Sequence, residues 1–248
     1  MSKKIALVTG GIGGIGSEIC IALANQGHKV IAGHLSFEQE QAEAWMAART
    51  AEGLDVGIAA GDVSDFSDTK KMIEGIAADH GVVQVLVNCA GITRDASLKK
   101  MEPDNWYAVI NTNLNSVFNV TKSCFEPMLE SGFGRIINIS SVNGQKGQFG
   151  QTNYSAAKAG VHGFTMALAQ EGARKGVTVN TVSPGYVATA MTEKIAPEIR
   201  ESIVAQVPMG RMGTPAEIAN AVAFFAKEES GYITGANLPV NGALFTSF

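Results

Sequence analysis

The sequence lacks a long apolar segment. No apolar stretch reaches the ~20 residues that a bilayer-spanning helix needs. The N-terminal segment MSKKIALVTGG also lacks the longer apolar region and small-residue cleavage site of a signal peptide. We therefore expect a soluble cytoplasmic protein that has no membrane partner.

Runs of basic residues and metal-binding cysteine pairs are also absent. The chain has 19 basic and 23 acidic residues, a net charge of −4, and no Lys/Arg cluster of the kind that binds nucleic acid. Its three cysteines, Cys20, Cys89 and Cys124, form no CxxC pair, so we expect buried, reduced thiols. The four histidines are not grouped with carboxylates, which predicts no metal site.

Short apolar runs alternate with segments of helical spacing along the chain. The runs that predict buried strands are Ile5–Val8, Val30–Gly33, Val56–Ala60, Val83–Asn88, Gly134–Ser140, Val177–Ser183 and Asn237–Val240. Predicted helices include Gly14–Asn25, Phe37–Glu52, Leu114–Ser131, Asn153–Lys175 and two between Met191 and Lys227. Strands separated by helices require crossovers and hence a parallel sheet. We predict one domain over residues 1–248, a doubly wound, Rossmann-type α/β sheet of about seven strands with helices on both faces.

A glycine-rich segment joins the first predicted strand to the first helix. Gly10 can make the tight turn, Gly14 lets the backbone approach a pyrophosphate, and Gly16 lets the helix pack on the strand. The helix N-terminus, which includes Ile15, offers free N–H groups and partial positive charge to that anion. The segment therefore predicts a dinucleotide site.

Tyr154 and Lys158 are four residues apart on a predicted helix, so their side chains share a face. A tyrosine has an unperturbed pKa near ~10, and a neighbouring cation lowers that pKa. The phenol would then exchange protons closer to neutral pH. Such a pair alone usually lies on a surface, but Ser141 ends the preceding strand, where the sites of α/β proteins gather.

The spacing T-G-x-x-x-G-x-G, followed in order by Asn113, Ser141, Tyr154 and Lys158, resembles the short-chain dehydrogenase/reductase family over most of the chain. The resemblance implies that Tyr154 protonates a carbonyl oxygen that receives hydride from a bound nicotinamide, while Ser141 donates to the same oxygen. Lys158 would lower the tyrosine pKa and hold the ribose, and Asn113 would hold a water that passes protons to Lys158. Ser140 is the rival serine, but the family places its serine thirteen residues before the tyrosine.

Other motifs of that family are also present. The segment that reads N-N-A-G in the family is N-C-A-G here, and P-G follows the sixth predicted strand. The resemblance implies that the cofactor contacts Asp62, Val63, Asn88, Ala90, Gly91, Pro184, Gly185, Val187 and Thr189.

The segment after the second strand bears on the choice between NAD and NADP. No Asp stands at the strand end, and no Arg or Lys occurs from Val30 to Ala48 to bind a 2′-phosphate. Glu38 and Glu40 would repel a phosphate if they lay near it. The relatives that the chain most resembles mostly use NADPH, whereas these residues predict that NADH is accepted at least comparably.

The stretch SVNGQKGQFGQTNY, residues 141–154, resembles the acetoacetyl-CoA reductases of polyhydroxybutyrate synthesis. This implies that acetoacetyl-CoA is reduced to (R)-3-hydroxybutyryl-CoA. The implied substrate contacts are Ser141, Tyr154, Gln148, Phe149, Gln151 and Tyr186. A 3-oxoacyl-[acyl-carrier-protein] reductase is the nearest alternative because it shares the four catalytic residues. A dinucleotide-sensing binding protein is a remote alternative, because such a protein would have lost the four catalytic residues.

Two further expectations concern partners. Basic residues that could meet the CoA phosphates are Arg94, Lys99, Lys100, Lys146 and Arg174. The family resemblance implies a homotetramer, with the helices Leu114–Ser131 and Asn153–Lys175 forming one interface. The C-terminal segment Asn241-Gly242-Ala243 departs from the family's usual N-G-G, which leaves the packing of that end open.

Overall fold

The seven predicted strands form one parallel sheet in the computed structural model, which describes residues 3–189 and 197–246. Each strand lies within one residue of its predicted bounds. They are β1 Ile5–Val8, β2 Lys29–His34, β3 Val56–Ala60, β4 Val83–Asn88, β5 Gly134–Ile139, β6 Val177–Pro184 and β7 Asn237–Val240. Their order across the sheet is β3-β2-β1-β4-β5-β6-β7.

Helices connect the strands. They are α1 Gly14–Asn25, α2 Gln39–Ala51, α3 Phe66–His80, α4 Pro103–Ile110, α5 Ser116–Ser131, α6 Val142–Lys146, α7 Thr152–Gly172, α8 Pro197–Ala205 and α9 Pro215–Ala226. The short helix α6 was not predicted. Of the segment predicted to hold two helices, residues 191–196 lie outside the described residues, and α8 and α9 follow. No helix of the described ranges combines the length and apolar character needed to cross a bilayer.

The predicted start of the long helix at Leu114 is wrong. Helix α4 continues through a π-helical turn, Asn111–Asn115, directly into α5. The predicted start of α9 is confirmed, because Thr214 and Glu217 form a capping box in which the Thr214 N–H donates to the Glu217 carboxylate at 2.8 Å. The capping residues of α9 thus predicted its start more accurately than apolar spacing predicted the start of α5.

Alternating strand residues build a core on each face of the sheet. Ala6 and Val8 of β1 belong to a cluster with side chains of α1 and α9. Ile5 and Leu7 of the same strand belong to a second cluster with side chains of α3, α5 and α7. A strand that is apolar on both faces must be covered on both. The predicted doubly wound α/β architecture is therefore confirmed.

The strand order places a crevice at the carboxyl edge of the sheet. β1 pairs with β2 on one side and with β4 on the other, so successive connections leave β1 in opposite directions. In such sheets ligands bind outside the strand ends at this switch point. The segments that follow β1, β4 and β5, where the predicted site residues lie, meet at this edge.

The C-terminal segment forms its turn with a strained alanine. Ala243 has φ of 67°, in the left-handed region, and is the one non-glycine residue with positive φ among the residues described. The turn is closed by Leu244 N–H donating to Asn241 O at 3.1 Å and by Asn241 Nδ2 donating to Phe245 O at 2.8 Å. The departure from N-G-G therefore leaves the turn intact at the cost of local strain.

Candidate active site

The glycine loop presents the open N-terminus of α1 to the crevice. A Cβ at Gly16 would lie 2.1 Å from the carbonyl oxygen of Gly10, so the close packing of helix on loop requires glycine at that position. Gly10 itself has φ of 63°. The N-cap is Gly13, without a side-chain cap, and the first turn from Gly14 holds no acidic residue. Its free N–H groups and partial positive charge fit a dinucleotide diphosphate.

Thr9 ties this loop to the segment after β4. Its hydroxyl oxygen accepts hydrogen bonds from the N–H groups of Cys89 at 3.0 Å and Ala90 at 3.1 Å. A Cβ at Gly10 would come within 3.1 Å of the Ala90 Cα atom, so the two segments are in contact. Of the predicted cofactor contacts, Gly10 and Ala90 thus share one wall of the crevice.

The side chain of Asn88 lies elsewhere. Its amide nitrogen donates to Thr121 Oγ1 at 3.1 Å and to Asn138 Oδ1 at 2.8 Å, which fastens β4 to α5 and β5. Its role in this structure is to hold the strand ends. The neighbouring Cys89 is half-buried rather than buried as expected, and burial raises the pKa of its thiol to about 11.

The carboxylate of Glu38 lies at the end of β2, where no acidic residue was expected on the strand itself. Glu38 folds back over a 3₁₀ turn, Ser36–Glu38, so that its carboxylate accepts from the Leu35 N–H at 2.9 Å. The strand end abuts the glycine loop, because Gly11 N–H donates to Gly33 O at 2.9 Å. Glu38 was expected to repel a 2′-phosphate if it lay near one, and the 3₁₀ turn brings its carboxylate to the end of the strand.

Asp62 and Val63 follow β3 at the same side of the crevice, with Gly61 N–H donating to His34 O at 2.9 Å. The Asp62 carboxylate is exposed and accepts from the Ser64 N–H and hydroxyl at 2.9 and 2.7 Å. The Val63 carbonyl accepts from Asn119 Nδ2 at 3.0 Å. Both residues are therefore held in place beside the end of β2.

Ser141 and Tyr154 meet where β5 ends and α7 begins. Ser141 is the N-cap of α6, and its hydroxyl oxygen accepts from the Asn143 N–H at 3.1 Å. Its hydroxyl also hydrogen-bonds the Tyr154 phenol, which lowers the pKa of that phenol. Ser140 points away, to the Lys158 carbonyl at 2.8 Å and to His162 Nε2 at 3.0 Å. The geometry favours Ser141 over its rival.

The pKa of Tyr154 is raised, because burial disfavours the phenolate and outweighs the Ser141 hydrogen bond, with a smaller contribution from the Asp95 carboxylate. The expected lowering by Lys158 is therefore wrong in this structure. The Lys158 Nζ atom lies 5.7 Å from the centroid of the Tyr154 ring and donates instead to the Ile139 carbonyl at 2.8 Å. Burial also lowers the pKa of Lys158 to about 8.

Asn113 is fully buried within the π-helical turn, Asn111–Asn115. Its Oδ1 accepts from the Ile92 N–H at 2.9 Å and its Nδ2 donates to the Ile92 carbonyl at 2.8 Å. A Cβ at Gly91 would lie 2.6 Å from Asn113 Oδ1 and 3.7 Å from Lys158 Nζ, so these three residues adjoin. Such π-turns are frequent at functional sites, and this one brings Asn113 beside Lys158.

The segment after β6 closes the crevice beside the glycine loop. A Cβ at Gly185 would lie 2.8 Å from the Cα atom of Asn241, so Pro184 is followed by a tightly packed glycine. Val187 is buried and bridges to Gly213. A Cβ at Gly14 would come within 3.3 Å of the Thr189 methyl group, which places Thr189 at the N-terminus of α1.

The four residues expected to contact substrate alone lie on two separate segments of the chain, residues 148–151 and the segment after β6 that holds Tyr186. Phe149 is 90% exposed, and Gln148 accepts from Lys146 Nζ at 3.1 Å. The Gln151 amide donates to Asp95 and accepts from Asn143. Tyr186 lines a cavity of about 350 Å³ with Met209, Arg211 and Asn241 among others, whereas Ser141 and Tyr154 do not line it.

Of the basic residues considered for CoA phosphates, four lie on two adjoining segments at the carboxyl edge of the sheet. Residues 94–100 and 146–151 are joined by the Ala96 N–H, which donates to the Gly150 carbonyl at 2.8 Å. These segments carry Arg94, Lys99, Lys100 and Lys146. Arg174 lies beyond the C-terminus of α7, just before β6 begins, and so belongs to the opposite edge.

Comparison with known proteins matches residues 4–200 to the short chain dehydrogenase family. The acetoacetyl-CoA reductase of Allochromatium vinosum is 63% identical over 242 residues, which are 98% of each chain. That of Cupriavidus necator is 53% identical over 244 residues, 98% of this chain and 99% of the relative. The 3-oxoacyl-[acyl-carrier-protein] reductase of Escherichia coli is 46% identical over 242 residues, 98% of this chain and 97% of the relative.

Proposed function

The chain belongs to the short chain dehydrogenase family, and on that premise we propose that it is an NAD(P)H-dependent oxidoreductase that reduces acetoacetyl-CoA to (R)-3-hydroxybutyryl-CoA. The observation that carries this proposal is that the Ser141 hydroxyl lies beside the Tyr154 phenol at the carboxyl edge of the sheet, close enough to lower the pKa of that phenol. The similarity to two acetoacetyl-CoA reductases supports the substrate.

The residues at this site have complementary roles in the proposed reaction. When bound, the reduced nicotinamide would supply the hydride that adds to the carbonyl carbon. Tyr154 delivers its phenolic proton to the carbonyl oxygen, and its raised pKa keeps that proton in place beforehand. The Ser141 oxygen accepts a hydrogen bond from the Asn143 N–H. The Ser141 hydroxyl, which faces the phenol, can therefore donate its proton to the carbonyl oxygen of a bound substrate and stabilise the charge that develops there.

Lys158 and Asn113 lie behind the phenol. We assign Lys158 to the ribose hydroxyls and to resupplying the Tyr154 proton, because its ammonium is buried beside Gly91 and within 5.7 Å of the phenol ring centroid. Both side-chain amide atoms of Asn113 are bonded to Ile92, so it shapes the wall next to Lys158. The first turn of α1 would hold the diphosphate.

We further propose that NADH is accepted at least comparably to NADPH. The Glu38 carboxylate sits at the end of β2, where it can accept a hydrogen bond from a free ribose 2′-hydroxyl and would repel a 2′-phosphate. No Arg or Lys occurs from Val30 to Ala48 to offset that repulsion. Steady-state kinetics with both cofactors test this, and a preference for NADPH above about a hundredfold would contradict it.

The preference for a CoA thioester over a carrier-protein thioester rests on the same comparisons and on the basic residues near the site. Purified protein is assayed with NADH and either acetoacetyl-CoA or the acetoacetyl carrier protein. We expect kcat/KM to be at least about tenfold higher with the CoA ester. The opposite ranking would favour the carrier-protein reductase. Dinucleotide binding without turnover of either substrate would indicate a sensing protein.

We also propose a homotetramer in which α5 and α7 form one interface. Phe118 on α5 is 52% exposed and Met166 on α7 is 55% exposed, and Phe118 stacks on Phe66 with ring centroids 6.2 Å apart. Apolar side chains of this size on helix surfaces mark association sites when they are grouped. Light scattering should give four times the 25.9 kDa chain mass, and Phe118→Asp should lower it, whereas a monomeric wild type would refute the assignment.

A further inference from the structure

A continuous series of hydrogen bonds runs from an exposed carboxylate to the serine of the active site. Gln151 Nε2 donates to Asp95 Oδ2 at 2.8 Å. Gln151 Oε1 accepts from Asn143 Nδ2 at 2.9 Å. The Asn143 N–H donates to Ser141 Oγ at 3.1 Å. We call Asp95, Gln151 and Asn143 the amide bridge.

The direction of each hydrogen bond in the amide bridge is fixed by chemistry. An ionised carboxylate only accepts, so Asp95 requires the NH₂ end of Gln151. The carbonyl end of Gln151 then faces Asn143 and requires its NH₂ group. Among the described residues, Gln151 is the one hydrogen-bond partner of the Asn143 side chain, whose Oδ1 atom is buried without a partner. The orientation of this buried amide therefore depends on Gln151.

The amide bridge joins the segment after β4 to the two helices that carry or position Ser141 and Tyr154. Asp95 lies on the segment after β4, and Gln151 is the N-cap of α7, which bears Tyr154. Asn143 lies on α6, whose N-cap is Ser141. Helix α6 packs tightly on α7, since a Cβ at Gly144 would lie 2.7 Å from the carbonyl carbon of Lys158.

We propose that Gln151 and Asn143 are positioning residues that, anchored by Asp95, hold Ser141 with its hydroxyl proton directed at the phenol and the substrate oxygen. This rests on the proposed function. It differs from the contact that family resemblance implied for Gln151, in which its amide binds the substrate. Both ends of that amide are engaged within the protein.

A second consequence follows from the charge of Asp95. Its carboxylate contributes to raising the pKa of Tyr154, whereas the Ser141 hydrogen bond lowers it. Breaking the amide bridge at Gln151 should weaken the Ser141 hydrogen bond and raise the phenol pKa further. Replacing Asp95 by asparagine keeps an oxygen that can accept from Gln151 but removes the charge, so it should lower the phenol pKa.

The kinetic test is a double-mutant cycle between Gln151→Met and Ser141→Ala. Methionine keeps the length of glutamine and removes both polar atoms. We expect Gln151→Met to lower kcat by about tenfold to a hundredfold, with KM for acetoacetyl-CoA and Kd for NADH nearly unchanged. In the Ser141→Ala background it should cause no further loss. Gln41→Met, an exposed change on α2, is the matched control and should behave as the wild type.

Two outcomes overturn the proposal. One is an equal loss of kcat from Gln151→Met in both backgrounds, because the residue would then act independently of Ser141. The other is a raised KM for acetoacetyl-CoA with unchanged kcat, because that result would show direct substrate contact. If Gln151→Met fails to fold, Asn143→Leu breaks the amide bridge at the next residue and is measured in the same cycle.

A spectroscopic test separates this proposal from the proposed function, since it needs no turnover. The ultraviolet absorbance of the phenolate is titrated in each variant, with the same variant carrying Tyr154→Phe as the reference. We expect a higher Tyr154 pKa in Gln151→Met and in Ser141→Ala, and a lower one in Asp95→Asn. An unchanged pKa in Gln151→Met would contradict the amide bridge even if acetoacetyl-CoA is turned over.

Discussion

The Nζ atom of Lys158 donates to the carbonyl oxygen of Ile139 at 2.8 Å, inside the protein and away from bulk water. Burial lowers its pKa from 10.5 to about 8. Between these two values the unfolded chain binds a proton that the folded chain has lost. Folding stability contributed by this group must therefore rise as the pH increases through that window.

This rise of folding stability with pH gives the first prediction. The free energy of unfolding of the wild type, minus that of Lys158→Met, should increase from about pH 8 to about pH 10.5, because only the wild type carries the buried amine. Urea unfolding of both proteins over this pH range measures the difference in the free energy of unfolding. The contributions of titratable groups that both proteins share cancel in that difference. A difference that stays flat or falls with pH would show that Lys158 is not desolvated in the folded state.

The second prediction separates the two adjacent serines. Ser141→Ala removes the hydroxyl that donates toward the reacting oxygen, so kcat should fall by about a hundredfold to a thousandfold. Ser140→Ala breaks a hydrogen bond to the Lys158 carbonyl, and its loss of kcat should be at least about tenfold smaller. Initial rates with saturating acetoacetyl-CoA compare them. Equal losses would mean that the assignment of Ser141 is not unique.

The third prediction concerns cofactor choice. Glu38→Gln keeps the shape of the side chain that closes the turn after β2 and removes its charge. The ratio of kcat/KM for NADPH to that for NADH should rise by about tenfold, since one like-charge repulsion near the 2′-phosphate is lost. Glu40→Gln, an exposed change on α2, should leave the ratio unchanged. The same shift in both variants would point to a general charge effect.

The fourth prediction uses the strained residue near the C-terminus. Ala243 has φ of 67°, which costs an alanine roughly 1–2 kcal/mol, and glycine relieves that strain at an entropic cost of about 0.4–1 kcal/mol. Ala243→Gly should thus stabilise the protein by about 0.5–1 kcal/mol, as denaturant unfolding would show. Ala47→Gly in helix α2 should destabilise it by about 1 kcal/mol. Destabilisation by both would refute the strain at Ala243.

The sheet could be predicted because its strands are encoded locally. Ile5–Val8 is a short, continuously apolar run, and Val83–Asn88 is apolar apart from Gln84 and Asn88. Turn residues follow both runs, and a buried parallel strand needs no further signal. The Thr214–Glu217 capping box is similarly local. The spacing of Tyr154 and Lys158 also sufficed to place both side chains near one another.

The chemistry of the site depended on contacts between distant residues and was less predictable. The hydrogen-bond partner of Lys158 is the backbone carbonyl of Ile139, 19 positions away. The pattern of side chains in the sequence does not predict such a contact. Helix α6 is only five residues long and has no apolar periodicity, so the sequence did not predict that Ser141 is the N-cap of a helix. Glu38 became relevant only because a 3₁₀ turn carries it back to the end of β2.

The most direct test of the central claim is the rate of NADH oxidation by acetoacetyl-CoA, measured for the wild type and Tyr154→Phe with NADH binding titrated in both. The buried phenol is proposed as the proton donor, so kcat should fall by at least about a hundredfold in the variant, while the Kd for NADH stays the same. Turnover by Tyr154→Phe at a rate close to that of the wild type would contradict the account.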